Sequence, residues 1–151
     1  MREPYQILSI PYRIVDGTPL FCILRRADSS YWQFIAGGGE NGETPIEAAI
    51  RETREEIGVE LKNIKQLTCI AYVPAEVIAE SKRQHWDKNT YVIPEYSFAF
   101  ECDSEPLLSN EHSEYKWLTY DEARKLLKWN SNKVAMYEIN RRFMKGSHNN
   151  G

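Results

Sequence analysis

The chain has 151 residues, 42% of them hydrophobic and 27% charged, which is typical of a single globular domain. Its net charge of −3 provides no basic surface for nucleic acid or an anionic membrane, so we expect neither as a partner. The sequence contains no signal peptide and no apolar span long enough for a membrane, and its three cysteines match no zinc or disulfide pattern, so we expect a cytoplasmic protein.

The first part of the chain predicts β-structure. Residues 5–15 are rich in apolar side chains and predict a strand, in which Pro11 indicates an edge position or a bulge. The pair Asp16-Gly17 is typical of a hairpin turn, and 20–24 form the returning strand. A short aromatic strand at 31–35 then leads into a glycine-rich loop.

The remaining chain predicts a mixed sheet between helices, in one domain over 1–145. Residues 74–91 contain no clear element, and because long loops in compact domains are often functional, we expect this segment to cover the substrate. The composition of 146–151 is typical of a disordered tail, part of which an expression vector could have contributed. The predicted strands are 64–73, 95–102 and 115–118, and the predicted helices are 119–127, capped by Thr119 and Glu122, and 132–144, ended by Gly146.

The best-defined element is a helix between Thr44 and Gly58. Thr44 suits the N-cap, Pro45 suits the first turn, and Glu47 completes a capping box. Gly58 can end the helix in a left-handed conformation. The side chains that recur at helical spacing predict a buried stripe formed by Ile46, Ala49, Ile50, Thr53 and Ile57.

Three carboxylates share a face of this helix beside the buried stripe. Glu52, Glu55 and Glu56 are spaced i, i+3 and i+4, so their charges repel one another. A solvated acidic helix is the alternative interpretation. A divalent cation such as Mg²⁺, with Mn²⁺ as a possible substitute, would remove the repulsion and would also bind phosphates. Arg51 is placed to pair with Glu47 and Glu55 and to hold Glu55 in one rotamer.

The glycines before the helix suit the same chemistry. Gly37, Gly38 and Gly39 allow backbone conformations closed to other residues and let a ligand approach, and their backbone groups could face phosphate or metal. Loop and helix together resemble the Nudix box, with a departure at Thr53, where an aliphatic residue is usual. The residues that match its pattern are Gly37, Glu43, Arg51, Glu52, Glu55, Glu56, Gly58 and Val59.

The resemblance implies an α/β fold, the Nudix-type α/β/α sandwich with a mixed β-sheet, and Mg²⁺-dependent hydrolysis of a phosphoanhydride. Glu43 and Arg51 would hold the carboxylates and the glycine-rich loop in position. One of Glu55, Glu56 and Glu111 would accept a proton from water. Many Nudix hydrolases use one more carboxylate from the region of Glu111, for which a solvated loop position is the alternative. The implied catalytic residues are Glu52, Glu55, Glu56 and Glu111, and the implied metal ligands are these four and Gly37.

A second resemblance covers most of the chain from Leu24 to Phe143. It lies in Leu24-Arg25-Arg26, Tyr31-Trp32-Gln33, Glu111-His112, Tyr115-Lys116-Trp117-Leu118 and Trp129-Asn130-Ser131-Asn132, which are similar to the dihydroneopterin triphosphate pyrophosphatase subfamily. Residues 75–95 do not match. The implied partner is a small nucleotide or pterin polyphosphate, with release of pyrophosphate. A dinucleoside polyphosphate, a damaged nucleotide, and a Nudix module that binds a nucleotide without cleaving it are the alternatives, and the oligomeric state stays open.

Several further residues are candidates for substrate binding. Arg25 and Arg26 could bind phosphate, but strand alternation directs them to opposite faces, so we expect one of them to face the site. Trp32 could stack on a heterocycle or pack in the core. Gly38 could present its backbone to the substrate, and His112 could orient Glu111 or lie at the surface. The cations Lys82, Arg83 and Lys88 could neutralise a phosphate tail, but they are more typical of a solvated charge run.

Overall fold

We describe a computed structural model of the chain, which covers residues 1–61 and 63–149. Over these residues the chain forms a sheet with helices on both of its faces. The strands are β1 (Arg2–Val15), β2 (Thr18–Arg26), β3 (Trp32–Gln33), β4 (Ile35–Glu40), β5 (Ile64–Pro74), β6 (Val92–Glu101) and β7 (His112–Leu118). The helices are α1 (Pro45–Ile57), α2 (Glu80–Arg83), α3 (Tyr120–Leu126) and α4 (Asn130–Asn149), and a 3-10 turn covers Ala75–Val77.

The sheet is mixed and is centred on β1. Its main order is β3-β2-β1-β6-β5, while β4 pairs with β1 and β7 pairs with β2. Only the β1–β6 pair is parallel among the strands that the structure describes. The predicted hairpin between β1 and β2 is confirmed, since Asp16 and Gly17 both have positive φ, as its tight turn requires.

Neighbouring residues of β1 and β6 show how the two faces are used. Ile7 and Phe98 are buried against α1, whereas Leu8 and Ala99 are buried with side chains of α3 and α4. Successive residues of a strand point to opposite faces, so one sheet fills two cores. The predicted α/β/α sandwich with a mixed sheet is confirmed.

Two expectations about the strands are wrong. Pro11 lies in the central strand, and there is neither a sheet edge nor a bulge at its position. The proline is tolerated because β1 changes partner there: β4 pairs with β1 up to Ser9, and β2 pairs with it from Tyr12 onwards. The glycine segment is not a loop, because Gly37, Gly38 and Gly39 form strand β4 with negative φ and pair with β1.

The end of the chain also differs from expectation. Helix α4 continues to Asn149, so the predicted stop at Gly146 is wrong. A single glycine costs a helix only about 1 kcal/mol, and Gly146 has open space around it. The helix therefore includes much of the predicted disordered tail, whose residues 150–151 lie outside the described residues. In the part of the chain that is described, we find no helix with the length and apolarity needed to cross a bilayer.

Candidate active site

Helix α1 begins and ends as its sequence predicts. The Thr44 side chain accepts a hydrogen bond from Glu47 N, the Glu47 carboxylate accepts one from Thr44 N at 2.9 Å, and Gly58 is left-handed with φ of 67°. The predicted buried stripe is only partly right. Ile46 is 40% exposed, and the buried residues of the helix are Ala48, Ala49, Thr53, Glu56 and Ile57.

Side chains from α1 and β1 lie so close to the glycines of strand β4 that a Cβ there would displace a neighbour. A Cβ on Gly37 would be 2.3 Å from Cδ of Glu52, and one on Gly38 would be 0.9 Å from Nη1 of Arg2. The expected close approach at these glycines exists, but the groups that approach are the protein's own carboxylate and guanidinium. Both groups are thereby held against the backbone of β4.

A cleft of about 440 Å³ opens between β4, the end of α1 and the segment before β6. Its lining is mostly polar and carries charges of both signs, and the basic side chains come from three separate parts of the chain. The acids are Glu40, Glu52, Glu56 and Glu111, and the bases are Arg2, Arg26 and Lys82. Residues 74–91, expected to cover the substrate, contribute Val77, Ile78, Ala79 and Lys82 to this lining.

The acids Glu56, Glu52 and Glu111 are close enough to affect one another. Glu56 is 4% exposed, and its Oε2 has no hydrogen-bond partner. Burial, together with the neighbouring Glu111 and Glu52 carboxylates, raises the pKa of Glu56 to about 10. Burial also raises the pKa of Glu52. Without a bound cation, the Glu56 side chain therefore keeps its proton at neutral pH.

His112 completes this cluster. It is the first residue of β7 and is 4% exposed, so the expectation of a surface histidine is wrong. Neither ring nitrogen has a hydrogen-bond partner, and a ring nitrogen lies within 4.8 Å of carboxylate oxygens of Glu56 and Glu111. Burial lowers the pKa of His112. A neutral imidazole facing two carboxylates can serve as an additional ligand for a cation.

Arg51 connects the glycine strand to the acids. Its guanidinium donates to Glu43, to the carbonyl oxygen of Gly38 at 2.8 Å and to Glu52 at 3.0 Å, and more loosely to Glu55 at 3.3 Å. The hydrogen bonds with Glu43 raise the pKa of Arg51. The expected pair with Glu47 does not form, because that carboxylate caps the helix.

The structure separates the remaining candidates. Arg26 lines the cleft, whereas Arg25 on the other face of β2 pairs with Glu114 at 3.0 Å outside it. Trp32 is not part of the cleft lining and packs against the core that includes α3 and α4. Glu55 also lies outside the lining, with 58% of its side chain exposed.

Arg2 and Gln6 line the cleft although the sequence does not single them out, and Lys82 lines it although its segment is more typical of a solvated charge run. Arg2 lies before the predicted first strand, where no motif or periodicity singles it out. Only the folding of distant segments onto β4 brings these three residues together.

The acids of the cleft fit a divalent cation. Carboxylate oxygens are the hard ligands that Mg²⁺ and Mn²⁺ prefer, and Glu52, Glu56 and Glu111 supply them from two elements. The unpartnered Oε2 of Glu56 is the observation that tests the fit, because a buried carboxylate oxygen without a hydrogen bond is costly unless a cation compensates it.

Comparison with known proteins identifies the family. The family model described as NUDIX domain matches residues 13–138, and the chain therefore belongs to the Nudix family. It is a hydrolase that acts on pyrophosphate bonds of nucleoside-diphosphate-linked compounds. The resemblance found in residues 37–59 is thereby confirmed.

Two groups of characterised proteins are similar to this chain. A dihydroneopterin triphosphate diphosphatase of Escherichia coli (strain K12) is 27% identical over 140 residues, which are 91% of this chain and 93% of that protein. An asymmetrical bis(5'-nucleosyl)-tetraphosphatase of Sus scrofa is 32% identical over 126 residues, which are 82% of this chain and 81% of that protein.

Solved structures share the fold over nearly the whole chain. A NUDIX hydrolase from Listeria monocytogenes superposes with a TM-score of 0.80 at 38% identity, covering 95% of this chain and 97% of that one. The Escherichia coli dihydroneopterin triphosphate pyrophosphohydrolase gives a TM-score of 0.72 at 26% identity, covering 92% and 97%.

Proposed function

We propose that this protein is a Mg²⁺-dependent hydrolase that cleaves a nucleoside or pterin triphosphate and releases pyrophosphate. The observation that carries the proposal is the buried carboxylate of Glu56, with one unpartnered oxygen, beside Glu52 and Glu111 in a cleft that also contains basic side chains. Such a pairing of opposite charges suits a cation on one side and an anionic phosphate chain on the other.

Glu52, Glu56 and Glu111, with Gly37 beside them, would hold the cation. When bound, it would neutralise the phosphate oxygens and lower the pKa of water. The chain's own groups do the rest. Arg51 fixes the Glu52 carboxylate at 3.0 Å, and either Glu56 or Glu111 accepts the proton of the attacking water, with the more exposed Glu55 as the remaining candidate.

The basic side chains have a different role. Arg26 reaches the cleft from β2 while its guanidinium is held by Asp28 at 2.9 and 3.0 Å. Lys82 approaches from the segment between β5 and β6. Positive charge placed along the phosphate chain stabilises the negative charge that builds up on the leaving pyrophosphate.

A dinucleoside polyphosphate is the second candidate substrate, and its support is the 32% identity to the tetraphosphatase of Sus scrofa. Residues 75–95 differ from the pterin-specific subfamily and contribute four residues to the cleft, so they bear on this choice. Damaged nucleotides form a third, less supported class. A Nudix module that binds without cleaving would lack box acids, and this chain retains Glu52, Glu55 and Glu56.

The test is a substrate panel. Purified protein with Mg²⁺ is given dihydroneopterin triphosphate, the common nucleoside triphosphates, an oxidised guanine nucleotide and diadenosine tetraphosphate, and the products are separated by ion-exchange chromatography. Pyrophosphate from a triphosphate supports the proposal. Turnover of the tetraphosphate alone selects the second candidate, and tight nucleotide binding without any turnover at Mg²⁺ or Mn²⁺ contradicts a catalytic function.

The metal assignment needs a variant of its own. Glu111→Gln removes one carboxylate of the cluster from an exposed turn, where the change perturbs folding little. We expect its turnover to fall by about 10- to 100-fold and its Mg²⁺ requirement to rise. Glu114→Gln, on the outward side of the same region, is the control and should behave as wild type.

A further inference from the structure

The guanidinium of Arg2 is placed in the cleft without an acidic partner. Arg2 is 7% exposed and lines the cleft, yet among the described residues no carboxylate oxygen lies within 4.0 Å of its nitrogens. Its one side-chain hydrogen bond runs from Nη2 to the neutral oxygen Oε1 of Gln6, at 2.8 Å. A guanidinium has five N–H donors, so most of its donors remain available to a ligand.

Gly38 leaves free the space that this guanidinium occupies. A Cβ at this position would be 0.9 Å from Nη1, 1.7 Å from Cζ and 2.3 Å from Nη2 of Arg2. Gly38 does not have positive φ, so its backbone conformation suits other residues as well. The space taken by Arg2 is therefore the structural reason for glycine at this position.

The backbone of Arg2 is held by the segment 74–91, which lines one side of the cleft. The carbonyl oxygen of Arg2 accepts a hydrogen bond from Nε1 of Trp86 at 2.8 Å, and Nε2 of His85 lies 2.7 Å from the same oxygen. Trp86 packs with Ala75 and Ile93 under this segment, which also brings Lys82 to the cleft. Arg2 and the segment 74–91 therefore hold one another in place.

We propose that Arg2 binds a phosphate group of the substrate. Gly38 leaves the space that its guanidinium occupies, and His85 and Trp86 hold its backbone carbonyl group. The planar fork of a guanidinium matches two oxygens of a phosphate group, and its positive charge strengthens both hydrogen bonds. The inference rests on the proposed function in one respect, since it assumes that the ligand is a polyphosphate.

The test is calorimetric titration of imidodiphosphate, a non-hydrolysable P–N–P analogue, into protein with saturating Mg²⁺. We expect Arg2→Gln to weaken its binding about 10- to 100-fold, as loss of a charge-assisted phosphate contact does. Gly38→Ala keeps the charge but displaces the guanidinium, and it should weaken binding in the same direction. Arg142→Gln, which loses an equal charge outside the cleft lining, where Arg142 pairs with Glu138, is the control and should stay within twofold of wild type.

The thermal unfolding temperature of each variant shows whether weaker binding is due to loss of the folded structure. If Arg2→Gln does not fold, Gly38→Ala decides the question. Wild-type affinity in the folded variants would overturn the proposal, and so would a wild-type protein that binds no imidodiphosphate. Arg2-dependent binding together with a panel in which no substrate turns over would support Arg2 and contradict the proposed hydrolase function, so the two failures are distinguishable.

Discussion

Arg51 binds the carboxylate of Glu43 with two donors, Nε to Oε2 at 2.7 Å and Nη2 to Oε1 at 2.9 Å. The same guanidinium contacts the carbonyl oxygen of Gly38 and the carboxylate of Glu52. One planar group thus fixes the strand that precedes α1 and one acid of the cleft. A charge without this planar geometry could not make all these contacts at once.

Arg51→Lys tests this relationship, because it keeps the charge and removes the planar fork. We expect kcat to fall about 10- to 100-fold and Mg²⁺ to be needed at higher concentration, since Glu52 is then no longer held. Steady-state kinetics over a Mg²⁺ titration measures both quantities. Arg54→Lys alters an exposed pair with Glu60 on the outer side of the same helix and should change neither. Wild-type kinetics in Arg51→Lys would show that its hydrogen bonds do not position Glu52.

Metal-free stability should depend on pH through Glu56. Its folded pKa of about 10 lies above its ordinary value of 4.5, so its contribution to stability is full below pH 4.5 and is lost as the pH rises towards 10. Glu56→Gln cannot ionise. In EDTA we therefore expect the variant to be more stable than wild type at pH 9 by several kcal/mol, and the difference to shrink at pH 5.

Urea unfolding at the two pH values measures this difference, and added Mg²⁺ should raise the stability of wild type more than that of the variant. The variant should nonetheless lose most hydrolysis, because it lacks a carboxylate of the cluster. A variant that is less stable than wild type at pH 9 would contradict the buried charge at Glu56.

The buried pair of Ser9 and Thr53 explains the departure from the Nudix box. Their hydroxyl oxygens are 2.7 Å apart, and because Thr53 donates to the carbonyl oxygen of Ala49, Ser9 donates to Thr53. Thr53→Val restores an aliphatic residue but leaves the Ser9 hydroxyl without its acceptor. We expect this variant to lose about 1–3 kcal/mol of unfolding free energy.

The double variant Ser9→Ala with Thr53→Val removes both hydroxyls and should recover most of that loss. Urea unfolding of the two single variants and the double variant completes the cycle. Equal and additive losses would show that the hydroxyls do not interact.

Arg25 and Arg26 are neighbours in sequence that should have different effects on the substrate. Arg26→Gln removes a charge from the cleft and should raise KM about tenfold, as expected for the loss of a charge-assisted contact. Arg25→Gln removes an equal charge from the other face of β2, where it pairs with Glu114, and serves as the matched control. Equal effects on KM would mean that the cleft is not where the phosphates bind.

Local sequence was enough to determine the elements whose signals lie within one turn. Three such elements are the cap of α1 at Thr44, the end of α1 at Gly58 and the hairpin at Asp16-Gly17. Each depends on residues only a few positions apart, so the sequence pattern predicts it without knowledge of the fold. The spacing of the acids on α1 and the family itself followed in the same way, because a helix has a fixed period.

Only the tertiary structure decided what surrounds those acids. The glycines of β4 read as a loop, since nothing local shows that Arg2 and Glu52 take the place of their side chains. Likewise, the burial of His112 and the position of Arg2 depend on contacts between segments far apart in the chain. The pKa of Glu56 is also set there, because desolvation and neighbouring charge depend on distance in space and not on distance along the sequence.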